Sequence, residues 1–74
     1  MDNNIFEEMV RSWGSPIVPR QQVGKFSGGV LNPRTMANLD CLGVGPKNRF
    51  RIGSKVVYRT KDLAEWLAKR SSVN

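Results

Sequence analysis

The stretch Asn32-Pro33-Arg34-Thr35-Met36-Ala37-Asn38-Leu39-Asp40-Cys41-Leu42 decides how the rest of the chain is organised. It carries the start signals of a short helix. Asn32 suits the N-cap, because its side-chain oxygen can accept a backbone N–H that no helical carbonyl reaches. Pro33 at the first helical position gives up an N–H that has no partner there. Met36, Leu39 and then Leu42 or Gly43 follow at three- and four-residue spacing, which predicts one apolar, core-facing side. Arg34, Ala37, Asn38 and Cys41 fall on the other side. Arg34 and Asn38 stand four residues apart, so their side chains emerge together on the surface. Arginine can pair with O6 and N7 of guanine, and asparagine with N6 and N7 of adenine. Such a helix is equipped to read base edges.

Upstream of it, Asn4-Ile5-Phe6-Glu7 fits a capping pattern, and Ile5, Phe6, Met9, Val10 and Trp13 fall on one side of a helix over residues 4–13. That face either packs on the core or receives a partner. Gly14-Ser15-Pro16 breaks the helix. Pro19 opens a second helix, Arg20–Phe26, weakened by Gly24, and Ser27-Gly28-Gly29 forms a turn. A short helix, a glycine turn and a helix with exposed Arg and Asn make a helix-turn-helix pattern. The pattern alone is common among small helical proteins.

Downstream, Gly43-Val44-Gly45-Pro46 is a loop, and Arg49–Ile52 and Val56–Arg59 alternate as strands of a hairpin. A two-residue turn at Gly53-Ser54 opposes Ile52 to Lys55 and Phe50 to Val57, which strands Val56 and Tyr58 on the other face. A three-residue turn, Gly53-Ser54-Lys55, opposes Ile52 to Val56 and Phe50 to Tyr58. The second register is expected, because it gives an apolar underside and leaves Arg49, Arg51 and Arg59 on the opposite face with Val57. Thr60 then caps a last helix to about Lys69, with Leu63, Trp66 and Leu67 as its buried stripe. Asp62 lies near its positive end, and Lys69 and Arg70 near its negative one.

The 74 residues carry a formal charge of +6, and its placement says more than its total. Residues 16–61 hold nine Lys and Arg against Asp40 alone, so the whole excess lies in the middle of the chain, as a polyanion-binding surface requires. One cysteine excludes an internal disulfide; Cys41 is either a small buried hydrophobe or an exposed thiol. The chain has no His, no metal-ligand spacing and no phosphate-cradling glycine motif, so neither catalysis, a metal nor a cofactor is expected. Tyr58 among Arg49, Arg51 and Arg59 suggests a recombinase nucleophile, but the expected register turns it inward. No signal peptide or long apolar run is visible, so a cytoplasmic protein without a membrane partner is expected.

Three pieces together carry a resemblance: Asn32 to Leu39 with Gly43-Val44-Gly45-Pro46, then Arg51-Ile52-Gly53-Ser54-Lys55-Val56-Val57-Tyr58-Arg59, then Asp62-Leu63-Ala64-Glu65-Trp66-Leu67. Over roughly residues 18–68 the chain resembles the excisionase/MerR-like winged-helix family, which includes phage excisionases and AlpA-like regulators. The resemblance implies an α+β fold: a small winged helix-turn-helix domain over 18–70, with a two-stranded wing hairpin and a C-terminal helix. An extra N-terminal helix lies in a 1–17 extension, and 71–74 form a flexible tail.

It also implies that Arg34, Thr35 and Asn38 enter the major groove of double-stranded DNA. Lys47, Arg49, Arg51, Ser54, Lys55 and Arg59 would meet the backbone or minor groove from the wing. Arg20 and Gln21 would touch the backbone from the preceding helix. The implied role is an accessory factor that binds and bends DNA and helps an integrase, a tyrosine recombinase, excise a mobile element. The protein would be a monomer in solution, cooperative on DNA. A small transcriptional regulator on the same fold remains an alternative. A protein-interaction adaptor using the Ile5–Trp13 face is another, of a different class.

Overall fold

Helix α1 (Asn4–Trp13) opens the part of the chain that the computed structural model describes, residues 4–71. The Asn4 side chain, of which a cap was expected, and the tail beyond Ser71 lie outside the described residues. Strand β1 (Ile17–Pro19) follows, then a 3-10 turn (Arg20–Gln22), α2 (Val23–Phe26), α3 (Pro33–Cys41), β2 (Phe50–Ile52), β3 (Lys55–Arg59) and α4 (Thr60–Arg70). Among the described residues this is a small α+β fold of four α-helices and one three-stranded antiparallel sheet in the order β1-β3-β2.

The core is made where the helices close over one face of the sheet. Val18, Val23, Phe26, Leu31, Met36, Tyr58, Leu63 and Ala64 are buried together. Phe6, Met9, Val10 and Trp13 of α1 pack against this cluster, so the apolar stripe of the first helix is largely spent on the core. Trp13 meets Phe26 edge to face at 5.8 Å and donates from Nε1 to the Ile17 carbonyl. The boundary expected after residue 17 falls inside β1, which α1 thereby helps to hold.

The expected single helix Arg20–Phe26 is divided into a 3-10 turn and one turn of α-helix, because Pro19 is the last residue of a strand rather than the start of a helix. Ser27 closes the turn after α2. Its Oγ donates to the Val23 carbonyl at 2.7 Å and accepts from Leu31 N–H at 2.9 Å. Gly28 and Gly29, both at positive φ, carry the chain round to Leu31. Helix α3 then begins as its sequence dictates. Asn32 Oδ1 accepts from the Thr35 N–H at 2.9 Å, and Pro33 takes the first helical position. It ends in a Schellman motif: Val44 N–H reaches the Leu39 carbonyl, Gly43 N–H the Asp40 carbonyl, and Gly43 sits at φ +79°.

Two expectations about side-chain placement are corrected here. Leu42 was expected in the core and is 73% exposed, because the Schellman turn swings the chain away after Cys41. The buried stripe of α3 is Met36 and Asp40, with Leu39 half-buried. Thr60 does not cap α4. Arg59 holds the cap position, and Thr60, the first helical residue, donates from Oγ1 to the Ser15 carbonyl, tying α4 to the segment after α1.

The hairpin register is corrected as well. Phe50 faces Val57, Arg51 faces Val56 and Ile52 faces Lys55, so Gly53-Ser54 is a two-residue turn. Gly53, at φ +63°, occupies the first turn position, where a positive φ matches the twist of the strands. The three-residue turn was expected on the premise that only one face of the hairpin is covered. That premise fails: β3, paired along its other edge with β1 (Val18 to Tyr58, Pro19 to Val57), is buried on both faces. As the middle strand, β3 buries neighbouring residues on opposite faces: Val57 is 2% exposed and Tyr58 0%. Arg51 therefore shares a face with Val56 and Tyr58, whereas Arg59 lies with Phe50, Ile52 and Val57 on the other.

Candidate nucleic-acid interface

Arg34, Thr35 and Asn38 are exposed on α3, and Cys41 continues the same row as an exposed free thiol. None of these four side chains is used by the core. The helix is held from behind by Met36, fully buried, and by Asp40. Its C-terminal loop is pinned by α4, where Trp66 Nε1 donates to the Val44 carbonyl at 2.9 Å and Arg70 stacks over the indole at 4.9 Å.

Beside α3 the hairpin forms the second wall of a cleft of about 470 Å³, lined by Ala37 and Cys41 from the helix and by Arg49, Arg51 and Val56 from the hairpin. The corrected register is what brings Arg51 to this wall. A second hollow joins the hairpin tip, Ser54 and Lys55, to Gln21 of the 3-10 turn. Lys47 is exposed in the loop between α3 and β2. Arg59 is not brought to this side: it lines a hollow with Asn48 and Phe50 on the far face of the hairpin. The three arginines expected on one surface are thus divided two to one.

Arg20 was expected as a surface contact and is engaged inward. Its Nη2 donates to Asp40 Oδ2 at 2.6 Å and its Nε to the Tyr58 hydroxyl at 3.0 Å. The Tyr58 hydroxyl in turn donates to the same Asp40 oxygen at 2.5 Å. Arg49 Nε lies 3.9 Å from that oxygen, with its side chain about half exposed. Asp40 Oδ1 has no hydrogen-bond partner among the described residues and faces Gly45, where an added Cβ would stand 2.0 Å away. A buried carboxylate is tolerated when charged and hydrogen-bonded partners offset its desolvation, and Arg20 and Tyr58 supply them.

Burial works against the charge of Arg20, and the hydrogen bonds to Tyr58 and Asp40 outweigh it, so its pKa lies above the ordinary value. Burial, reinforced by the Asp40 carboxylate and opposed by Arg20, pushes the Tyr58 phenol up to about 12. The unfolded phenol titrates near 10. The folded state therefore keeps a proton that the unfolded state has lost between pH 10 and 12. The stabilisation is whole below pH 10 and disappears as pH rises through 12, a change of about 3 kcal/mol. Tyr58 is the only tyrosine, so phenolate absorbance reads it directly. Its midpoint is expected near pH 12 in the native protein and near 10 in denaturant. Tyr58→Phe should remove the extra alkaline loss of stability.

Local pattern alone points to no role for Asp40. The available signal was its isolation: it is the sole acid in a strongly basic stretch and sits four residues after the buried Met36. Among the described residues no group of three or more His, Cys, Asp and Glu side chains is placed to hold a metal ion, and no helix is long and apolar enough to cross a membrane. In comparisons with known proteins, no family model and no curated sequence matches this chain.

Proposed function

We propose that the chain is a winged helix-turn-helix DNA-binding protein, with α3 as its major-groove reader and the β2–β3 hairpin as its wing. The observation that carries this reading is the row Arg34, Thr35 and Asn38, exposed on a capped helix beside a cleft walled by Arg49 and Arg51. The order of elements supports it too: helix, strand, short helix, glycine turn, helix and hairpin, with the first strand paired to the last. In that arrangement α1 is part of the domain rather than an appendage.

The exposed polar residues of α3, of the loop after it and of the hairpin sort into two tasks. Arg34 and Asn38 supply base-edge hydrogen bonds, with Thr35 beside them. Lys47, Arg49, Arg51 and Lys55, with Ser54 and Gln21, fix the register on the phosphates. Arg59 lies apart and serves at most a neighbouring stretch of backbone. As the resemblance to excisionases implies, several copies bound side by side would bend DNA and assist an integrase. The alternative of a transcriptional regulator uses the same surface. Whether excision by the partner recombinase depends on added protein separates the two.

The underlying reading is tested by duplex binding as a function of salt. Four phosphate contacts predict a slope of log affinity on log salt of about −3.6, at about −0.9 per contact. Arg51→Ala should make it shallower by about one for every DNA sequence. A salt-independent affinity would overturn the DNA reading.

A further inference from the structure

Asp40 sits on the proposed reading helix, yet it carries the wrong charge for a DNA surface and is 6% exposed. It is the only acidic residue among residues 16–61. Its surroundings are made for a carboxylate. Arg20 and Tyr58 both donate to Oδ2, and the chain passes Oδ1 at a glycine, Gly45, that leaves no room for a side chain. Arg49, on the wall of the cleft, is drawn to within 3.9 Å of the same oxygen.

Resting on the DNA-binding reading, we propose that Asp40 is a specificity-determining residue that withholds Arg20, and in part Arg49, from the phosphate backbone. The physical reason lies in how specificity is set. Non-specific affinity grows with the number of phosphates a protein neutralises, whatever the bases are. Specificity is the ratio of site affinity to that background. A buried acid that occupies one guanidinium and restrains another lowers the background without touching the base-reading side chains. Arg20 lines both the cleft beside α3 and the hollow at the hairpin tip, so once released it has phosphates within reach.

The test is Asp40→Asn, which keeps the shape and the hydrogen-bonding oxygen and removes the charge. Binding to a pool of random-sequence duplexes is measured between about 50 and 200 mM salt. The variant's slope is expected to steepen by about one, an additional three- to fourfold loss of affinity across that range, with tighter binding at the low-salt end. Discrimination between a selected site and the pool should fall accordingly. Partial unfolding would lower apparent affinity without steepening the slope, so a purely structural role for Asp40 gives a different result.

Adding Arg20→Gln to Asp40→Asn should restore the native slope. A slope unchanged or shallower in Asp40→Asn overturns the proposal. Should that variant fail to fold, Arg20→Gln alone decides: an unchanged slope supports a withheld arginine, and a slope shallower by about one overturns it. Failure of the DNA-binding reading is seen separately, as the absence of salt-dependent duplex binding by the unaltered protein, and it removes both.

Discussion

Arg34→Ala is expected to lower affinity for a selected duplex by roughly ten- to a hundredfold while leaving affinity for random duplexes nearly unchanged. Arg34 lies in the first turn of α3, exposed, with no hydrogen bond or ion pair to any described residue, so its removal costs the fold little. On the proposed reading its energetic value arises on binding DNA. A bidentate pair to guanine discriminates against the wrong base by about 1–3 kcal/mol. The first turn is also a poor place for a cation, since the helix dipole is positive there. An arginine at that position is held against a local cost that a phosphate or base edge removes. Selection from randomised duplexes, with the native protein and with Arg34→Ala, should show relaxed preference at one or two base positions. An equal loss on all sequences would instead make Arg34 a phosphate contact.

Gly45→Ala is expected to destabilise the protein by about 3 kcal/mol, the upper part of the range for overpacking a tight interior. The new methyl would lie 2.0 Å from Asp40 Oδ1 and 3.1 Å from its carboxyl carbon. Neither neighbour can retreat freely. The carboxylate is held by Arg20 and Tyr58, and the loop by Trp66 through the Val44 carbonyl. Moving Asp40 breaks its ion pair with the partly exposed Arg20 and leaves the buried Tyr58 hydroxyl without its acceptor, both of which cost stability. A domain of this length has about 4–11 kcal/mol in all, so the loss is a large share. Urea unfolding of native and variant protein measures it. Gly24→Ala is a contrast, because its Cβ would meet only the Leu31 carbonyl, at 3.3 Å.

What the sequence made legible was local. The start of α3 follows from Asn32 and Pro33, its end from Gly43, and the exposure of Arg34, Thr35 and Asn38 from their spacing. These are decided by backbone chemistry within a few residues. The parts that were not legible depend on distant partners. The register of β2 on β3 turns on whether both faces of β3 are covered, which residues distant in sequence decide. Three residues, Ile17–Pro19, the last of them a proline, do not announce a strand. The burial of Asp40 needs Arg20 and Tyr58, twenty residues before and eighteen after it. Periodicity assigned that inward place to Leu39 and Leu42, because a carboxylate goes inside only when its partners are already there. The same long-range pairing separated Arg59 from Arg51, which lie on strands that look alike in sequence.

Helix α3 is anchored by its buried Met36 and Asp40, with Pro33, Ala37 and Leu39 half-buried beside them, and by the turns at its ends. Positions 34, 35, 38 and 41 bear none of that attachment. Exposed substitutions free of such ties usually change stability by no more than about 0.5 kcal/mol. The chain that holds the helix and the letters it presents are therefore separate inheritances. If α3 reads DNA as proposed, a descendant of this protein could acquire a new address by changing three or four surface residues, without renegotiating its fold.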